Sequence, residues 1–173
     1  LKRYRKGEAG LPAHIDDYAF FAWGLIELYE ATFDVRYLME SSTLADRMLA
    51  HFWDEEEKGF FLSADDTEKL LVRSKDIYDG AIPSGNSVSA LVLLRLGRMT
   101  ANQELEEKAS EIFNAFSGMV SQSPANFAQL LIALDFALAP GREVILAGDD
   151  PTEMAGTVRR RFLPRTVLLH RPE

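Results

Sequence analysis

Carboxylates, amides and hydroxyls recur in this chain where apolar helices begin, and the densest group is Asp79-Gly80-Ala81-Ile82-Pro83-Ser84-Gly85-Asn86-Ser87. Gly80 and Gly85 permit positive φ and close backbone approach, and Pro83 stiffens the turn. Ser84, Asn86 or Ser87 has the side chain to cap the free N–H groups of a helix starting near Val88. Two more groups are placed in the same way. His14, Asp16, Asp17 and Tyr18 precede one apolar helix, and Ser121, Gln122, Ser123 and Asn126 precede another. Acids, amides, hydroxyls and aromatic rings that converge on one concave surface are the components of a sugar site, where rings stack on pyranose faces and acids move protons. On that reading Asp17 and Asp79 are the catalytic candidates, one protonated as general acid and the other ionised as base or nucleophile. His14, Asp16, Tyr18, Arg73, Lys75, Ser84, Asn86 and Ser87 are the ligand-binding candidates. The plainer reading of the same residues is helix capping and turn closure. No His/Asp/Glu spacing demands a metal, and no cofactor is expected: the Gly148-Asp149-Asp150 turn lacks the glycine-rich fingerprint of a dinucleotide site.

The elements that must position these groups are helices of two alternating kinds. From Tyr18 to Phe33 the residues Phe20, Phe21, Ala22, Trp23, Leu25, Ile26, Leu28 and Tyr29 cover nearly every direction around the axis, the pattern of a helix surrounded by protein. From Tyr37 to Phe52 the apolar residues Leu38, Leu44, Ala45, Met48 and Leu49 make a single stripe, which predicts an outer helix. The pair repeats with Val88 to Leu96 as an inner helix and Leu105 to Phe116 as an outer one. A third inner helix is predicted from Pro124, capped by Ser123, to Leu138. Inner and outer helices alternating at a recurrence of roughly 65 residues predict an arc of an (α/α) toroid built from helical hairpins. In such a ring the inner helices run parallel, so their N-termini and positive dipole ends gather on one face. Asp17, Asp79 and Asn86 are accordingly expected to line one surface. Gly59-Phe60-Phe61-Leu62 and Lys69-Leu70-Leu71-Val72 flank a polar turn and predict a short β-hairpin. After residue 140 the pattern changes to strand, helix, strand, so we expect a helical unit over 1–140 and a small βαβ appendage over 141–173.

Composition excludes several classes of function. A 173-residue chain that is 47% hydrophobic can bury a sizeable core. It has no cysteine, hence no disulfide framework, thiolate metal site or Cys nucleophile. A net charge of −8 argues against nucleic acid or an anionic membrane as partner. No leader and no apolar stretch of about 20 residues stands out, which makes a cytoplasmic location the expectation. The chain starts without Met, and we expect it to be a piece of something longer. Large side chains among Phe20, Trp23, Leu91 and Phe127 are then expected to be exposed, or covered by self-association.

The runs His14-Ile-Asp-Asp-Tyr-Ala-Phe20, Leu28-Tyr-Glu-Ala-Thr-Phe33, Phe52-Trp53 with Gly59-Phe-Phe61, and Asp79 to Ser87 followed by Leu93-Leu-Arg-Leu96 resemble the YyaL-like proteins, the spermatogenesis-associated protein 20 family. The resemblance covers almost the whole chain. It implies the C-terminal part of a six-hairpin glycosidase-like toroid, preceded in that family by a thioredoxin-like domain. The family's biochemical activity is unassigned, so two functions stand. One is a hydrolase or epimerase acting on carbohydrate through the Asp17/Asp79 pair. The other is a non-catalytic toroid that binds a ligand or partner and serves the thioredoxin-like domain. Carboxylates roughly 5 to 9.5 Å apart across an open cleft would favour the first. Side chains bonded into helix ends without a shared cavity would favour the second.

Overall fold

The structure, a computed structural model, describes residues 1–67 and 72–172. It is mostly α-helical. A short antiparallel hairpin of β1 (Arg3–Arg5) and β2 (Glu8–Gly10) leads into α1 (Ile15–Thr32), α2 (Val35–Phe52), α3 (Gly85–Thr100), α4 (Gln103–Gln122) and α5 (Ala128–Leu138). Two strands, β3 (Arg142–Ala147) and β4 (Thr166–Arg171), then enclose α6 (Thr152–Arg159).

Local chemistry explains both helical hairpins. Phe33 turns α1 back through a left-handed backbone (φ 57°), and Asp34 caps α2 by accepting the Arg36 N–H at 3.0 Å. Ala101 and Asn102 repeat the device between α3 and α4, where Asn102 accepts the Glu104 N–H at 3.1 Å. The Tyr18 ring lies 5.2 Å from that of Phe52, so the start of α1 meets the end of α2 and the pair is antiparallel. Buried Ser41 pins the two helices by donating to the Ala22 carbonyl at 3.0 Å.

The centre of the molecule is α3. Every residue from Gly85 to Gly97 is buried, as a helix apolar on all sides requires. Contacts at both ends fix the direction of its neighbours. At the N-terminal end Asp16 lies against Gly85, and Asp79 joins Ser84 to the start of α5. At the other end Arg95 pairs with Glu27 and with Glu30 (3.0 Å), and Arg98 donates to the Phe136 carbonyl at 2.8 Å. Hence α1, α3 and α5 run parallel, with α2 and α4 packed antiparallel against α1 and α3. Each fully buried Leu or Val of α3 contributes about 1.5–3 kcal/mol of transfer free energy.

Two expectations need adjustment. The inner helices are not equally enclosed: Leu91 and Phe127 are buried and Phe20 and Trp23 half-buried, whereas Phe21, Leu28, Ile132 and Leu138 are 45–78% exposed. The third inner helix does not begin at Pro124. That proline opens a 3₁₀ turn over Pro124–Asn126, and α5 starts after a break at Phe127. A short hairpin among the described residues is β1–β2. In the arm over residues 59–62 an isolated bridge joins Phe60 to Trp53, and the Leu62 N–H donates to the Ser74 carbonyl at 2.7 Å. Lys69, Leu70 and Leu71, the other arm of the expected hairpin, lie outside the described residues.

The C-terminal strands pair in parallel from Arg142↔Thr166 to Ala147↔Arg171, with α6 as the crossover. Leu146, Ala155 and Leu168 form a small core under Phe33, while Val167 points the other way into the main core.

Candidate functional site

The Asp79 loop is tied to backbone at almost every polar atom. Asp79 Oδ1 accepts the Ser84 N–H at 2.9 Å. Its Oδ2 accepts the N–H groups of Gln129 (2.8 Å) and Leu130 (3.1 Å). The carboxylate therefore caps α5 from a distant part of the chain, a role that Phe127 at the N-cap position has no side-chain acceptor to fill. Ser84 caps α3 with its hydroxyl, accepting the Ser87 N–H at 3.2 Å, and both serines are buried. Asn86 is wholly buried: its Oδ1 accepts the Phe60 N–H at 2.7 Å, and its Nδ2 donates to the carbonyls of Phe60 (2.9 Å) and Asp76 (2.8 Å). These groups hold the 60s segment, the Asp79 loop and the starts of α3 and α5 together.

At the start of α1 the N-cap is His14, so the helix begins at Ile15, ahead of the Tyr18 start expected, and the His14 N–H donates to Asp17 Oδ2 at 2.8 Å. Asp17 is exposed. With Lys2, Tyr18, Phe21, Leu44 and Arg47 it lines an open cleft of about 390 Å³. Asp16 differs in character. Its Oδ1 is buried with no hydrogen-bond partner among the described residues. Burial pushes its carboxyl above the usual range. The Gly85 amide, close by but not at hydrogen-bond geometry, pulls the other way, and the Asp76 charge adds to the rise.

Arg73 and Lys75 both lie against the Phe61 ring, at 4.2 and 5.2 Å from its centroid. Both are engaged by the fold. Arg73 donates to the carbonyls of Ser63 and His51, and Lys75 pairs with Asp54 at 2.5 Å and donates to the Lys58 carbonyl. The Lys75 pair holds the Asp54 carboxyl below the usual range. A second cleft, of about 380 Å³, is lined by Lys75, Asp76, Tyr78, Gln122, Asn126 and Phe127. Asp79 and Asn86 line neither cleft. The helix N-termini thus gather as expected, but the acids at them are placed differently: Asp17 opens on one cleft, Asp76 on another, and Asp79 faces backbone.

Sequence reading passed over Asp54 as the partner of Lys75, a pairing with no local signal, since the two are separated by a loop of the chain. It also missed the grouping of His51, Asp65 and Asp66, whose ligand atoms lie within 4.8 Å of one another. His51 Nδ1 and Asp65 Oδ1 are 3.0 Å apart and satisfy each other, and both aspartates are exposed.

Among known proteins, the chain is 33% identical over 160 residues to human spermatogenesis-associated protein 20, a match covering 90% of this chain and 20% of the human protein. The rat protein of the same name matches equally well. An uncharacterized protein of Caenorhabditis elegans is 29% identical over 169 residues, covering 95% of this chain and 23% of its own length. The chain thus spans about a fifth of the length of the curated relatives it matches. No protein-family profile matches it.

Proposed function

Because the chain belongs to the spermatogenesis-associated protein 20 family, we propose that it is the non-catalytic, ligand- or partner-binding arc of an (α/α) toroid serving a thioredoxin-like domain. The observation that carries this reading is the engagement of Asp79, whose two carboxylate oxygens are taken by three backbone N–H groups. Glycoside hydrolysis needs two carboxylates flanking a cleft, one of them free to give a proton. Asp79 has neither the freedom nor the cleft. The helical unit over 1–140 supplies the binding face, and the 141–173 appendage braces it. Packing of the exposed apolar faces of α1 and α5 on the rest of the toroid, and a cytoplasmic setting, belong to the same proposal.

Calorimetric titration of the chain with a panel of mono- and disaccharides, and separately with a thioredoxin-like domain of a family member, tests it. The expected result is saturable binding of one titrant, with no change in that titrant by mass spectrometry after prolonged incubation. Turnover that disappears in Asp17→Asn would overturn it.

One observation favours the alternative, a hydrolase or epimerase acting on carbohydrate. Asp16 carries an unpartnered buried oxygen and a carboxyl pushed up by burial, which are the properties of a general acid. In that case Asp16, with Asp76 as its neighbour, takes the role first given to the Asp17/Asp79 pair. Hydrolysis of an aryl glycoside by the chain that is lost in Asp16→Asn, with sugar affinity retained, would decide for it.

A further inference from the structure

The two-stranded sheet has two outer edges, and they are treated differently. Along β4 the outward N–H groups are those of Leu168 and His170. Leu168 donates to Glu30 Oε1 at 3.2 Å, and His170 lies 3.4 Å from the Tyr29 hydroxyl. Side chains of α1 therefore close that edge. Along β3 the Arg142 N–H points to β4, donating to the Arg165 carbonyl at 3.0 Å, as does that of Gly148 to Arg171. By the alternation of a parallel ladder, Glu143, Ile145 and Ala147 turn their N–H and C=O groups outward. None of these has a partner among the described residues. The run Arg142-Glu-Val-Ile-Leu-Ala147 has no proline, bulge or lysine to guard it, and Ile145 is 58% exposed.

We propose that this open edge is an interface with a second copy of the chain, β3 pairing antiparallel with β3 about a two-fold axis through Ile145. The register follows from the outward groups. Residue 145 meets 145, and 143 meets 147, so each outward residue joins a hydrogen-bonded pair and the outward N–H and C=O groups of both copies are used. Charge selects the same orientation. Arg142 stands at the start of β3, and Asp149 and Asp150 follow its end. Antiparallel pairing sets each Arg142 opposite the other copy's Gly148, beside the turn that carries those two aspartates, whereas parallel pairing would set Arg142 on Arg142. Ile145 then packs on its own counterpart and leaves water. Asp150 is already ionised and held low by the Thr152 hydroxyl and N–H at the start of α6, so it offers a fixed negative charge. This interface is separate from the apolar faces of α1 and α5 and does not depend on a ligand.

Sedimentation velocity of the 173-residue chain over about a hundredfold range of concentration reads the proposal directly. Wild type is expected to show a monomer–dimer equilibrium. Ile145→Lys, a solvent-exposed change that leaves the inward face intact, should weaken the dimer at least about tenfold with an unchanged melting temperature. Arg142→Glu should also weaken it, and the swap Arg142→Glu with Asp149→Arg should restore it, which a loss of folding would not do. Phe21→Asp should leave the dimer in place. A chain that stays monomeric throughout, a dimer indifferent to Ile145→Lys, one abolished by Phe21→Asp alone, or pairing only with an added unrelated strand peptide would each overturn the proposal.

Discussion

Asn86 and Asp16 occupy neighbouring positions around the start of α3 and behave in opposite ways. Asn86 matches its two donors and its acceptor to the carbonyls of Phe60 and Asp76 and the Phe60 N–H. Truncation to alanine leaves those buried groups unpaired at roughly 1–3 kcal/mol each. Asn86→Ala is therefore expected to lower unfolding free energy by about 3 kcal/mol or more, read by urea denaturation. A loss below about 1 kcal/mol would show that water takes over the amide's role. Asp16 has the reverse profile, a carboxyl raised by burial. Between the ordinary carboxylate pKa and the raised one, the folded chain holds more proton than the unfolded chain, so stability falls as pH rises through that window. Asp16→Asn removes the titration. Its melting temperature should match or exceed wild type at neutral pH, and the decline of wild-type stability from about pH 4 upward should flatten. An unchanged slope would mean that the folded and unfolded carboxyls titrate alike. Neither behaviour was legible from residue type. Asn and Asp before a helix both read as caps or ligands, and only the positions of Phe60 and Gly85, brought in from other parts of the chain, distinguish them.

At the scale of elements the chain was more readable, because periodicity and end signals are local. The continuous apolar run of α3 predicted full burial, and the stripes of α2 and α4 predicted outer helices, each close to its observed position. What escaped was any feature made by two distant segments. The start of α5 is capped by Asp79, about 50 residues earlier, so Ser123-Pro124 looked like the cap when it opens only a 3₁₀ turn. Asp79→Ala should then cost about 2 kcal/mol, one cap plus the Ser84 hydrogen bond, and hydrogen exchange should quicken at residues 128–131 before it does elsewhere. Uniform quickening across α1 to α5 would contradict the assignment. The approach of α1 to α3 depends on the absence of a side chain at Gly85, where a Cβ would sit 2.7 Å from Ile15 Cγ2 and closer still to the Asp16 carboxylate. Gly85→Ala is expected to destabilise by about 1–3 kcal/mol through forced displacement of the α1 start, checked by thermal melts. A neutral result would show that α1 is free to slide.

The whole molecule is asymmetric in a way that no single helix reveals. α3 lies between α1 and α5 and is sealed by both, while α1 presents Phe21 and Leu28, and α5 presents Ile132 and Leu138, to solvent. These side chains stand on helices whose sequence is apolar all round, a pattern suited to neighbours on both sides. A polar substitution at such a position removes little native contact, so Phe21→Asp combined with Ile132→Asp should change unfolding free energy by no more than about 0.5 kcal/mol per site. The same pair should sharply reduce binding of a hydrophobic dye to the folded chain. The two readouts together separate the explanations. Loss of dye binding at constant stability means that the faces of α1 and α5 are surfaces awaiting cover. A loss of several kcal/mol would mean instead that Phe21 and Ile132 already pack in solution, and that these faces are part of the closed core of the 173-residue chain.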